Sequence, residues 1–124
     1  MCSSDLVTTY YAPPGTTAVV LLPNAASSGL VYKINQIVVA NTTASAANAT
    51  VSIYTNGAVA QGSAPSGGTA YPIISTVSVP AYASLIAVDK TTSLYLMEGT
   101  SISITSGTAN SLTFSISYES ISSS

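Results

Sequence analysis

The 124-residue chain contains no histidine, no tryptophan and no arginine, one cysteine, one phenylalanine and two lysines. Each shortage removes a class of chemistry. Without histidine there is no serine–histidine–acid or cysteine–histidine machinery, and no imidazole ligand for a metal. A single Cys2 cannot form an internal disulfide or build a zinc site, which usually takes four Cys or His ligands. Two cations, Lys33 and Lys90, are too few to neutralise a phosphate backbone, so no nucleic-acid partner is expected. No apolar run approaches the roughly 20 residues of a membrane-spanning helix, and none of the basic, apolar and small-residue blocks of a secretory signal opens the chain. No membrane partner is expected.

Charge is scarce of either sign. Charged residues make up 5% of the chain, against about 25% in ordinary soluble proteins. Serine and threonine take their place. Disordered chains are poor in β-branched and aromatic residues, whereas this one is rich in Val, Ile, Thr and Tyr, so it is expected to fold. A net charge of −2 gives little repulsion between copies. A neutral Ser/Thr/Tyr surface is tolerable where much of it meets other protein, which leans towards self-association.

What is present is alternation. Leu112, Phe114, Ile116 and Tyr118 point one way, with Thr113, Ser115 and Ser117 between them. Val51 and Ile53 are expected inward with Ser52 and Tyr54 opposite, and Ile102 and Ile104 repeat the scheme within Thr100 to Thr105. Period two predicts half-buried antiparallel strands, apolar on one face and hydroxylated on the other. Further strands are predicted at Val7–Tyr11, Thr17–Leu22, Leu30–Ala40, Tyr71–Val79 and Ser84–Val88. The apolar phase slips between Ile34 and Ile37, which predicts a bulge near Asn35-Gln36. Loops with turn chemistry separate the strands: "PPG" from Pro13, "NAASSG" from Asn24, "NTTASAAN" from Asn41 and "NGAVAQGSAPSGG" from Asn56. The last is so rich in Gly and Ser that it is expected to pack poorly. The sum is an all-β fold, a two-sheet antiparallel β-sandwich of about eight strands, jelly-roll or immunoglobulin-like.

The first six residues fit nothing around them. "MCSSDL" resembles translated adapter sequence at the ends of reading frames in metagenomic assemblies. Residues 1–6 are therefore expected to be a non-native or disordered scar, and residues 7–124 a single β-sandwich domain. Two glycosylation sequons, at Asn41 and Asn48, are no more than chance supplies in a chain this full of Ser and Thr, and are expected to be ordinary loop residues.

Three of the six charged residues fall in "SLIAVDKTTSLYLMEGTSISI", Ser84 to Ile104: Asp89, Lys90 and Glu98. A two-carboxylate glycosidase needs only a pair of acids, for which Asp89 and Glu98 are the candidates, with Asp5 and Glu119 further off. Such an enzyme also needs a sugar cleft, commonly with aromatic platforms, and Trp is absent. Calcium takes six to eight oxygens, for which two carboxylates are few. Asp89-Lys90-Thr91-Thr92 reads instead as a polar strand connection and Glu98-Gly99 as the next turn. No enzymatic activity, metal or cofactor is expected. Among the eight tyrosines, Tyr32, Tyr95 and Tyr118 fall within strand patterns. Tyr71 and Tyr82 flank prolines and are the candidates for contact with another protein chain.

The segments "VSVPAYASLIAVD", "LYLMEGTSISI" and "ANSLTFSISYESI" together resemble small virion structural proteins of tailed bacteriophages, including phages of marine cyanobacteria. "YAPPGTTAVV" is similar to their opening strand–turn–strand, and "INQIVVANTTASAANATVSIY" to their central pair of strands. In this resemblance Val79-Pro80 enters the turn before the Leu85 strand. Leu94, Leu96 and Gly99 lead into Ile102, and Tyr118 is the last aromatic of the closing strand. The chain departs from the pattern at Tyr82, where Gly or Asn is common, and at Thr100, where an acid is common. The resemblance implies a non-enzymatic virion component, a capsid decoration or a neck or tail accessory, with phage capsid or tail proteins and further copies of itself as partners. The alternative is a receptor- or glycan-binding tip module using the Asn56–Gly68 and Asn41–Asn48 loops.

Overall fold

The computed structural model describes residues 4–26, 29–57, 59–88 and 94–122; Cys2, Asp89 and Lys90 lie outside them. Nine strands follow one another with no helix among the described residues: β1 (Ser4–Tyr11), β2 (Val19–Asn24), β3 (Leu30–Asn41), β4 (Ala47–Tyr54), β5 (Ala70–Val79), β6 (Ser84–Val88), β7 (Leu94–Leu96), β8 (Thr100–Ser106) and β9 (Leu112–Ser122). They form two antiparallel sheets. The larger runs β1–β9–β3–β6, with β7 also on β3, and the smaller runs β2–β8–β4–β5. Every connection crosses from one sheet to the other except β4 to β5 and β6 to β7. This is a β-sandwich, as the alternation predicts. The strand beyond the expected eight is β7, three residues long at Leu94–Leu96.

The core lies between the sheets and is made by the predicted phase. Phe114 and Ile116 of β9, Ile34, Ile37 and Val39 of β3, Ile102 and Ile104 of β8 and Val51 of β4 are fully buried in one cluster. Each such side chain contributes about 1.5–3 kcal/mol relative to exposure. Tyr32 and Tyr118 pack against this cluster with ring centroids 4.8 Å apart and planes at 49°. That tilted geometry suits the ring quadrupoles. Burial first, and the Tyr32 hydroxyl second, push the Tyr118 phenol above its ordinary pKa of 10.0.

The expected bulge is present: the pairing of β3 with β9 shifts between Ile34 and Gln36. Asn35 is the inserted residue. Its side chain is buried, and its Oδ1 has no hydrogen-bond partner among the described residues. The bulge lets Ile34 and Ile37 both face inward, because one extra residue restores the period-two phase. Residues 4–6, set aside above as a scar, continue β1 in regular register with β9, Ser4 opposite Ile121 and Leu6 opposite Glu119.

Candidate interaction surfaces

Among the described residues, the carboxylates are not gathered in one place. Glu119 lies on β9 opposite Lys33 of β3, and Glu98 is exposed in the turn between β7 and β8. Asp5 is on β1 opposite Ser120, and Asp89 is outside the described residues. No group of three potential metal-ligating side chains occurs among the described residues, and no described helix is long and apolar enough to cross a membrane.

The long loop behaves differently from expectation. Asn56–Gly68 is anchored along the outer face and free edge of the smaller sheet. Gly62 N donates to Val20 O and Val20 N to Ser63 O, both at 2.9 Å. The Gln61 amide donates to Leu21 O at 2.8 Å and to Thr9 Oγ1 at 3.1 Å, tying the two sheets together on the β1/β2 side. Ser101 Oγ donates to Asn56 O at 2.9 Å, and Gly68 N donates to the Tyr54 hydroxyl at 2.9 Å. Its glycines explain the packing: a Cβ on Gly57 would overlap the Asn24 carbonyl, and one on Gly68 would press on Tyr54. The expected poor packing is thus overturned, because small residues let the backbone approach closely. Beneath the loop Ser52, Ser101, Ser103 and Tyr54 are buried, although they occupy the hydroxylated phase of their strands.

Asn24 and Asn41, read above as loop residues, are buried at the ends of β2 and β3. Asn24 Nδ2 donates to Leu30 O and Leu96 O at 3.0 and 3.1 Å. Asn41 Nδ2 donates to Ser45 O and Val79 O at 2.8 and 3.0 Å, while its Oδ1 accepts from Thr43 N at 2.9 Å. Asn opening a Ser/Thr-rich loop is the sequence signal for such an Asx turn. The Asn41 sequon is therefore structural; Asn48, in β4, is exposed.

At the Asn41 end, three connections are laced into one cap. Tyr82 N donates to Thr43 O, Asn41 N to Ala83 O, Thr42 N to Ser111 O and Gly107 N to Asn48 O. Tyr82 stands on this cap 74% exposed, with φ 54. That is the left-handed region, which explains why Gly or Asn suits the position, and a bulky side chain there costs about 1–2 kcal/mol. Tyr71, 60% exposed, lies near the start of β5, roughly 30 Å along that strand from the cap. The two candidate contact residues occupy opposite ends of one side of the sandwich and do not form one patch.

The outer face of the larger sheet presents a surface that composition alone does not locate. Register places Tyr10, Ser115, Val38 and Ile86 in one row across four strands. Tyr10 is 69% exposed and Ile86 is also well exposed. Tyr95 stands beside Lys33 and Glu119 in a parallel row, exposed on the same face. Comparison with known proteins finds no matching protein family, no significantly similar curated sequence and no significantly similar solved structure.

Proposed function

We propose that this chain is a non-enzymatic structural protein of a tailed-phage virion, assembling on the capsid exterior or on the neck or tail. The observation that carries the reading is Tyr82. A large aromatic is held at positive φ, more than two thirds exposed, where Gly or Asn would relieve the backbone. Its own fold gains little packing from it, so its use lies in contact with another molecule. Support also comes from the sequence resemblance over Val77–Ile104 and Ala109–Ile121, and from an outer sheet face on which Tyr10, Ile86 and Tyr95 are exposed. We read the winding as a jelly roll, supported by the strand orders β1–β9–β3–β6 and β2–β8–β4–β5.

The tip-module alternative placed recognition in the Asn41–Asn48 and Asn56–Gly68 loops. Both are tied to the sandwich by backbone and side-chain hydrogen bonds, which weakens that reading. Quantitative mass spectrometry and cryo-electron microscopy of purified particles encoded with this gene provide the test. A fixed, high copy number in a symmetric array is expected, with Tyr82 at a subunit contact. Absence from particles overturns the reading, and a few copies confined to a fibre tip would favour the alternative.

A further inference from the structure

Each open sheet edge carries backbone N–H and C=O groups without a strand partner, and proteins normally block such edges. This sandwich has four: β1 and the β6–β7 side in the larger sheet, β2 and β5 in the smaller. Three are blocked by recognisable means. The long loop covers β2, with Gly62 and Ser63 bonded to both backbone groups of Val20. β5 is irregular: Pro72 has no N–H, Thr76 sits at φ 50, and the register on β4 shifts twice. β6 and β7 are five and three residues long, and β6 shifts register on β3.

β1 has no such block on its backbone; the long loop reaches it only at side chains, through the Gln61 amide on Thr9 Oγ1 and Gly62 beside the Tyr11 ring. Ser4–Tyr11 runs eight residues in unbroken register with β9, without Pro, Gly or a bulge. Among the described residues no backbone group pairs with its other side. Half of the N–H and C=O groups of an antiparallel edge strand point away from its partner, and a further strand is what their spacing fits.

We propose that β1 is a self-association edge, at which two copies join β1 to β1 antiparallel across a two-fold axis and merge their larger sheets into one. A second copy fits for three reasons. Among the described residues each molecule has one regular open edge, so pairing between copies is isologous and closes at two; head-to-tail growth would need a second open edge. Val7–Tyr11 carries no charge, so self-apposition sets no like charges opposite each other. With the axis at Thr9, Thr8 stands opposite Tyr10 of the second copy on the outer face, a β-branched–aromatic pair of the kind that stabilises sheets. The pairing needs only Val7–Tyr11. It would bring the two exposed Tyr10 side chains onto one continuous outer face.

This inference deepens the assembly reading and rests on it for its biological use. A strand-edge contact is smaller than the about 1,200 Å² at which stable complexes begin, so a weak dimer is expected that an array would reinforce. Sedimentation equilibrium of the purified chain from micromolar to millimolar concentration tests it, combined with hydrogen exchange. The expected result is a monomer–dimer equilibrium in which β1 amides become protected as concentration rises. Thr8→Lys with Tyr10→Lys, both exposed side chains, should weaken association about tenfold or more by placing cations across the axis. Ile86→Lys, at the far side of the same face, should leave it unchanged. A chain that stays monomeric, grows beyond a dimer, or gains protection on another strand overturns the proposal, as does capture of a foreign peptide at β1 without self-pairing. If the double variant misfolds, the exchange pattern of the unaltered chain decides alone. A monomer found in arrays on particles would sink the edge pairing and leave the virion reading standing; a β1 dimer absent from particles would do the reverse.

Discussion

Ser103 and Ser115 occupy matching places in two similar strands, "TSISITS" and "LTFSISYESIS", Ser103 between the inward Ile102 and Ile104 and Ser115 between the inward Phe114 and Ile116. Ser103 is buried and Ser115 is half-exposed. The difference comes from outside both strands. On the outer face of the smaller sheet the Asn56–Gly68 loop is bonded to Ser101 and Tyr54, and Ser52 and Ser103 beside them on that face are buried as well. Nothing described covers the larger sheet, whose outer row of Tyr10, Ser115, Val38 and Ile86 remains accessible. One hydroxylated face has become a second, polar layer of packing, and the other is available for contact. Serine suits both fates because it is small enough to bury and polar enough to expose.

Placing the same charge on both faces should separate them most. Ser103→Lys buries an ammonium beneath the loop and should cost on the order of 3–5 kcal/mol, enough to unfold much of a marginally stable domain. Ser115→Lys should change stability by no more than about 0.5 kcal/mol. Urea unfolding of the two variants reads the contrast directly, and equal effects would show that the loop does not seal the smaller sheet.

Loosening the cover is the next test. Gly57→Ala forces a methyl group against the Asn24 carbonyl and should cost about 1–3 kcal/mol. Faster hydrogen exchange at Val20 and Gly62 should accompany the loss, while β9 amides keep their protection. A neutral substitution would mean that the loop rides on the sheet without being fixed by it.

Tyr82 reverses the sign. Tyr82→Asn relieves a left-handed backbone and should stabilise the isolated chain by about 1 kcal/mol in thermal unfolding. The same variant should bind particles more weakly, since it removes an exposed aromatic from the cap. Loss of stability together with unchanged binding would remove Tyr82 from the contact surface.

The smallest effect concerns alkaline pH. The Tyr118 phenol titrates above 10.0 in the folded chain and near 10.0 when unfolded. Between those values the unfolded chain has released the proton and the folded chain has kept it, so stability falls as pH rises through that window. Tyr118→Phe should flatten this alkaline decline in urea titrations on either side of pH 10.0 while leaving neutral stability nearly unchanged. A decline of undiminished slope would assign it to other groups.

Much of the fold was legible because sheet structure writes itself as period-two alternation. The inward series Leu112, Phe114, Ile116 is buried as read, and the phase slip between Ile34 and Ile37 marks the bulge where it occurs. Strand ends were less legible. β1 starts at Ser4, three residues before the expected Val7, and β9 runs to Ser122, past Tyr118, because pairing between the two extends regular backbone where the side-chain signal is weak. The candidate contacts were legible in part. Tyr71 and Tyr82, singled out beside prolines as candidates for contact with another chain, are both exposed, whereas Tyr10 drew no notice until register placed it beside Ser115, Val38 and Ile86.

By itself the sequence determined the class of fold, the residues that face the core, and the scarcity of groups able to carry covalent or metal chemistry. These depend on residue type and on spacing within a single strand, where side chains alternate by geometry. Only the tertiary structure decided which hydroxylated face is covered, how the "NGAVAQGSAPSGG" loop packs, and that β1 is the regular open edge among the described residues. Those outcomes join Val20 to Ser63, Thr9 to Gln61 and Asn24 to Gly57 across long stretches of chain. No local pattern encodes which loop will close over which sheet, because each of these contacts joins groups far apart in the chain, and many of the groups are backbone, the same at nearly every residue.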